Sequence, residues 1–197
     1  MIFEDIVFIH IPKTGGTTVE KRLCLTNIEN LYSTTLFENN RTLQHMSAQK
    51  LQEKYPEKFK TYCTFSIVRN PYTRFLSSYM WFPAMAGMGH LAGQTMDDFI
   101  EIVSWHVLTK EFSKTPFHEH IIPQYQYIYD QSENLMVDHL FHLEKYDEVD
   151  AFLIKQFQCY DTTIYERGPN KPFLTKQQKN KIALLYQKDF ELLGYEQ

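Results

Sequence analysis

The sequence predicts an α/β domain: a central, mostly parallel sheet flanked by helices. Three observations carry this. Short runs rich in β-branched and aromatic residues, at residues 6–11, 61–68 and 137–143, alternate with longer stretches of helical spacing, the pattern of strands joined by crossover helices. The first run is apolar on consecutive residues, as a strand covered on both faces should be. The first two runs each stop in a polar turn that opens a helix, and ligands of such sheets collect beyond the carboxyl ends of strands. A length of 197 residues suits one domain, residues 1–197, with a sizeable core.

Taken in order, the first strand, residues 6–11, ends at Pro12 and a helix over 14–25 follows, with Val19 and Leu23 four apart on one face. Residues 26–44 are polar and unpatterned, a loop suited to acceptor contacts. Ser47 is the expected N-cap of a helix over 48–54 that Pro56 ends. The second strand covers 61–68, and Pro71 fits the first turn of a helix reaching Trp81. Residues 82–94, with Gly87, Gly89, Gly93 and His90, read as a lid-like loop. Thr95 and Asp98 have capping-box spacing before one helical piece, with a second over 104–112. Residues 115–123 read as loop, and 124–129 are ambiguous between helix and strand. The third strand covers 137–143, Asp147 is the expected cap of a helix to residue 157, and 159–174 form a loop. Thr175 and Gln178 form another capping box, opening a last helix that places Ile182, Leu185, Tyr186 and Leu193 on one face and stops at Gly194.

Composition narrows the function. A formal charge of −4 argues against a general nucleic-acid binder, though an acidic protein can still focus cations into one cleft. Cys24, Cys63 and Cys159 are an odd, widely spaced set without a Cys-x-x-Cys pair, which fits a reducing compartment better than a disulfide framework. The first apolar run lacks a basic leader, and no run approaches the roughly 20 apolar residues of a membrane span. The expectation is a cytoplasmic protein with no membrane span.

The chemistry concentrates after the first two strands. His10-Ile11-Pro12-Lys13-Thr14-Gly15-Gly16-Thr17-Thr18 follows an apolar run. Strand, tight loop and helix together aim backbone N–H groups, hydroxyls and one cation at a point, a seat for a phosphate-like anion. A Walker A loop needs a Gly-Lys-Ser/Thr triplet; here the lysine precedes both glycines, so that match fails. The second stretch is Val68-Arg69-Asn70-Pro71-Tyr72-Thr73-Arg74-Phe75-Leu76-Ser77-Ser78-Tyr79.

The first stretch resembles the 5′-phosphosulfate loop of sulfotransferases that use 3′-phosphoadenosine-5′-phosphosulfate (PAPS). The second is similar to that family's 3′-phosphate element. The Pro-Lys-Thr-Gly-Gly-Thr-Thr form looks like the carbohydrate sulfotransferase branch and its small bacterial relatives. The resemblance is sharp at 6–18 and 64–79 and looser at 44–54, 137–153 and Leu185-Tyr186-x-x-Asp189-Phe190. It implies a three-layer, P-loop-like fold and sulfuryl transfer from PAPS, without a metal, to a hydroxyl of a glycan or small molecule. The Golgi members carry a membrane anchor that this sequence does not show.

On that resemblance Lys13 is the expected catalytic cation at the leaving oxygen. Thr14, Gly15, Gly16, Thr17 and Thr18 are the expected phosphosulfate loop, with the two glycines admitting close backbone approach. Arg69 would grip the 3′-phosphate with two prongs and Ser77 would add a hydroxyl; Arg74 is expected to point away and pair with a carboxylate. His45, in a His-x-Ser segment similar to that of uronyl 2-O-sulfotransferases, is the expected base, with His10 its competitor or supporting partner. Arg167 and Lys171 resemble the late loop that closes over the nucleotide, and Glu144 a recurrent family acid. His118-Glu119-His120 and His139-x-x-His142 lack zinc spacing with further ligands. Tyr125, Tyr127 and Tyr129 are stacking candidates or core. Two rivals remain: a P-loop kinase, which would need magnesium and ATP, and a nucleotide-binding module without turnover.

Overall fold

The computed structural model describes residues 2–3, 5–23, 37–38, 41–84, 93–110, 118–163 and 172–197. In chain order the elements are β1 (Ile2–Phe3), β2 (Ile6–Ile9), α1 (Gly16–Arg22), β3 (Phe37–Glu38), β4 (Arg41–Thr42), a 3₁₀ turn (Leu43–His45), α2 (Ala48–Lys54), α3 (Pro56–Thr61), β5 (Cys63–Val68), α4 (Pro71–Trp81), a 3₁₀ turn (Phe82–Ala84), α5 (Met96–Thr109), a 3₁₀ turn (His118–His120), α6 (Tyr125–Ile128), β6 (His139–His142), a 3₁₀ turn (Leu143–Lys145), α7 (Tyr146–Phe157), α8 (Lys176–Leu185) and α9 (Gln187–Leu193).

The main sheet has the order β1-β2-β5-β6. β2, β5 and β6 are parallel, with Ile9 beside Ser66 and Val68 beside His142, while β1 adds an antiparallel edge. The carboxyl ends of the three parallel strands therefore lie along one rim. Successive side chains leave opposite faces of a strand, and both faces of β2 are buried. Ile6 and Phe8 pack with Val19 of α1 and with Val149 and Leu153 of α7. Val7 and Ile9 pack with Ala48, Leu51, Phe59 and Ile128 on the other side. The three layers follow from that alternation. A separate aromatic cluster joins α4, α5, α8 and α9 through Phe75, Phe99, Ile182, Tyr186 and Phe190.

Several expectations hold to the residue. Ser47 caps α2, its hydroxyl accepting from Lys50 N, and α4 starts at Pro71 and ends at Trp81. Both capping boxes form, Thr95 with Asp98 and Thr175 with Gln178. Others are corrected. The first strand stops at Ile9, so His10 lies just past its end, on the rim, rather than inside it. α1 covers 16–22 rather than 14–25; its start is delayed because Gly15 takes a left-handed conformation that a helix cannot include. The third strand shortens to four residues. The two pieces expected after Thr95 are one helix. Lys145, not Asp147, occupies the N-cap of α7, and Asp147 sits in the first turn. The last helix breaks at Tyr186, whose hydroxyl donates to Ile121 O at 2.6 Å. α3 and the short β3–β4 pair were not expected; Pro56 ends α2 and serves as the first residue of α3.

Cys24, residues 24–36, the middle of the lid-like loop (85–92), Arg167 and Lys171 lie outside the described residues. No described helix is long and apolar enough to cross a membrane.

Candidate active site

The loop after β2 is held from behind by its own carbonyls. Thr14 Oγ1 donates to Ile11 O at 2.8 Å, Arg74 Nε donates to Pro12 O at 3.0 Å, and Arg69 NH1 donates to Lys13 O at 3.0 Å. In a trans peptide the N–H points opposite to its C=O. Fixing the Pro12 and Lys13 carbonyls therefore turns the N–H groups of Lys13 and Thr14 to the other side. Lys13 has φ 68° and Gly15 φ 85°, a cost of about 1–2 kcal/mol for the non-glycine residue that these bonds offset. The Thr14 hydroxyl is committed to the loop itself. Thr18 is buried, whereas Thr17 is half-buried.

Each glycine also has a packing reason of its own. A Cβ on Gly16 would lie 2.1 Å from Cδ2 and 2.3 Å from Nε2 of His10, so the His10 ring occupies the space a side chain would need. A Cβ on Gly15 would come 2.7 Å from Leu143 Cδ1 in addition to its left-handed φ. Gly16→Ala is accordingly expected to lose about 1–3 kcal/mol of stability by overpacking, measurable as a lower urea midpoint; an unchanged midpoint would show that the ring gives way freely.

Arg69 directly follows β5 and joins the two motifs. Besides Lys13 O, its guanidinium donates through Nε to Thr73 Oγ1 at 3.0 Å. The NH2 hydrogens and the second NH1 hydrogen have no hydrogen-bond partner among the described residues, which leaves a two-pronged face. Burial pushes Arg69 below its ordinary pKa, with the Glu144 charge acting in the opposite direction. A partly desolvated cation of this kind interacts strongly with an anion. Gln124 pairs with the Arg69 backbone as a strand would, accepting from Arg69 N at 2.9 Å and donating to Arg69 O at 2.8 Å. Asp189 in turn accepts from Gln124 N and Tyr125 N at 2.8 and 2.9 Å. Glu144 accepts from Asn70 N at 2.8 Å and from the Tyr195 hydroxyl at 2.9 Å. Ser77 is half-buried on α4.

Arg74 does not point away to a carboxylate. It is buried and donates to the carbonyls of Pro12, Ile122 and Glu119. Tyr127 and Ser78 donate to Glu119 O and His120 O, at 2.5 and 3.0 Å. Residues 118–122 are thus a rigid wall beside the loop. Tyr127 is buried core rather than a stacking surface.

His45 closes the 3₁₀ turn before α2. Its Nδ1 lies 2.9 Å from His10 O. A carbonyl only accepts, so Nδ1 carries the hydrogen and, in the neutral ring, Nε2 carries the lone pair. Nε2 has no hydrogen-bond partner among the described residues. Burial, with His10 and His120 adding to it, pushes His45 well below the usual histidine range, so it is neutral at pH 7. His10 and His120 flank it edge-on at ring distances of 4.6 and 5.3 Å. His120 stacks on Trp81 at 4.0 Å, and Lys13 Nζ sits 4.9 Å from the Trp81 ring centre. Those contacts place the cation and the neutral imidazole around one aromatic cluster. Among the described residues no three His, Cys, Asp or Glu side chains converge as a metal site.

The structure therefore brings together Lys13, Thr14, Gly15, Gly16, Thr17, His10, His45 and Arg69 on the carboxyl rim. Sequence reasoning did not single out Glu20, Gln44, Trp81 or Gln124, and weighed His120 only as a metal ligand. Nothing in their spacing marks them, since each reaches the rim from a different element.

A family model described as "Sulfotransferase family" matches residues 3–196, and the chain belongs to that family. No significant match to a curated protein or to a solved structure was found.

Proposed function

We propose that this sulfotransferase takes its sulfuryl group from PAPS and moves it in line to a hydroxyl of a carbohydrate, with His45 as base. The observation that carries this reading is the bond from Arg69 NH1 to Lys13 O: the two anion-receptive loops are joined side by side on one rim. One doubly anionic nucleotide can then be held at both ends. The donor set fits: Lys13 and the loop N–H groups for the phosphosulfate, the free edge of Arg69 for the 3′-phosphate, with Ser77 supplementing it. Arg167 and Lys171 would close over the nucleotide.

In the reaction, the acceptor O–H gives its proton to His45 Nε2 as the new bond to sulfur forms. The bond between sulfur and the phosphate oxygen breaks, and the electron pair stays on the departing 5′-phosphate. Transfer of this type is loose, with charge growing on the leaving oxygen. Lys13 stabilises that charge, an interaction stronger in the transition state than in the ground state. A carbohydrate acceptor is supported by the likeness of the His45-Met46-Ser47 segment to uronyl sulfotransferases.

Titration with adenosine 3′,5′-bisphosphate, followed by transfer from ³⁵S-labelled PAPS to a panel of sugars and small alcohols without magnesium, tests the proposal. Binding and label transfer are expected. Turnover only with ATP and magnesium would instead indicate a kinase, and binding without transfer to any acceptor a module without turnover.

A further inference from the structure

Glu20 lies fully buried on α1, past the anion loop, and would have no direct part in donor binding. Its carboxylate grips two neighbours. Oε1 lies 2.5 Å from His10 Nδ1, and Gln44 Nε2 donates to both carboxylate oxygens at 3.1 and 2.9 Å. Both neighbours lead to His45. His10 supplies the carbonyl bonded to His45 Nδ1, and Gln44 is the residue immediately before His45 in its turn. The contacts close a ring: Glu20 to His10, His10 O to His45, the 44–45 peptide, and Gln44 back to Glu20.

We propose that Glu20 is a positioning residue for His45, fixing through His10 and Gln44 both the acceptor of the His45 Nδ1–H and the turn that carries the imidazole. The proposal rests on the reading of His45 as the base. A buried carboxylate is costly to desolvate, and an aliphatic side chain would fill a buried position without that cost. What an aliphatic side chain cannot do is hold a histidine ring and a glutamine amide at once. Burial acts to raise the Glu20 carboxyl, but His10 and the Gln44 amide outweigh it and keep the group below its ordinary value. Glu20 is thus an ionised acceptor at neutral pH, the state that receives N–H donors from both sides. With Nδ1–H held on His10 O, the Nε2 lone pair keeps one direction toward the acceptor. A small misplacement of such a group is enough to slow transfer markedly.

The test uses the full chain with two variants, Glu20→Gln and Gln44→Leu. ¹H–¹⁵N correlations of the His45 ring report its tautomer independently of turnover. The wild-type protein should show a single Nδ1–H form, and both variants a mixture. Their kcat should fall by at least about tenfold, while the PAPS KM and the affinity for adenosine 3′,5′-bisphosphate stay within about twofold. Gln44→Leu leaves the His10–Glu20 pair in place, so it decides the matter alone if Glu20→Gln does not fold. Variants that bind nucleotide and retain both the single tautomer and the wild-type kcat would overturn the proposal, as would loss of nucleotide affinity in step with kcat. If the wild-type protein transfers no sulfuryl group, the functional reading fails, and the tautomer result still decides whether Glu20 orders His45.

Discussion

Lys13→Ala should lower turnover about a hundredfold or more, the scale set by removing one preorganised donor from a developing negative charge. That is a loss of about 2.7 kcal/mol of transition-state stabilisation. The expectation rests on the place of Lys13: a left-handed position between carbonyls fixed by Arg69 and Arg74, with its ammonium over Trp81. The left-handed φ tolerates alanine about as well as lysine, so the loop should persist and the loss should fall on the charge. Lys13→Arg should rescue poorly, because a planar fork on a stiffer head does not reproduce a compact ammonium. Single-turnover transfer from labelled PAPS is the measurement; near-normal turnover in Lys13→Ala would remove the residue from the mechanism.

The second large effect is at His45. His45→Ala should remove transfer by about 10²–10⁴-fold, the usual contribution of a positioned base, with the affinity for adenosine 3′,5′-bisphosphate nearly intact. A parallel loss of nucleotide affinity would mean that His45 shapes the donor site instead. The pH dependence follows from its depressed pKa. Only the neutral ring accepts a proton, and folding keeps it neutral below its ordinary value of about 6.5. The acid limb of kcat/KM should therefore lie below pH 6.5. Stability has the same sign. Above about pH 6.5 both folded and unfolded forms are neutral and His45 contributes nothing. As pH falls below that value the unfolded chain takes up a proton that the folded chain refuses, so stability is lost. His45→Ala should flatten that part of a urea-midpoint profile against pH; an unaltered slope would show that other groups carry it.

Much of this architecture was legible because it is local. Ser47, Pro71 and the two capping boxes announce helix starts through bonds made within four residues, and those starts fall where the sequence places them. The two rim loops were legible for a similar reason: each pairs an apolar run with a turn that exposes polar groups at its end. The misplaced boundaries arise where distant contacts override local pattern. The last helix reads as continuous, yet it breaks at Tyr186, whose side chain is buried and bonded to the distant Ile121 carbonyl. Gly16 reads as a place of close backbone approach; that a ring six residues earlier fills the space of a side chain there is visible only in the fold. Arg74 looks like a surface cation and is a buried brace across three carbonyls. Glu20, beside Lys21 and Arg22, has the look of a solvated helix face; only the fold reveals His10 and Gln44 on either side of it.

The grip of Gln124 on the Arg69 backbone, itself backed by Asp189, with Tyr195 reaching Glu144, has a bearing on biosynthesis. A ribosome makes Arg69 early and must still translate most of the chain before Asp189 and Tyr195 emerge from the exit tunnel. Until then the rim loop after β5 lacks its backing, and the nascent polypeptide should not be retained on an immobilised adenosine 3′,5′-bisphosphate column. Stalled chains ending at Leu185 should pass through, whereas chains that include Asp189 and Tyr195 should be held. Nucleotide capture would then wait until Asp189 and Tyr195 are free to pack; retention of the stalled chains would contradict it.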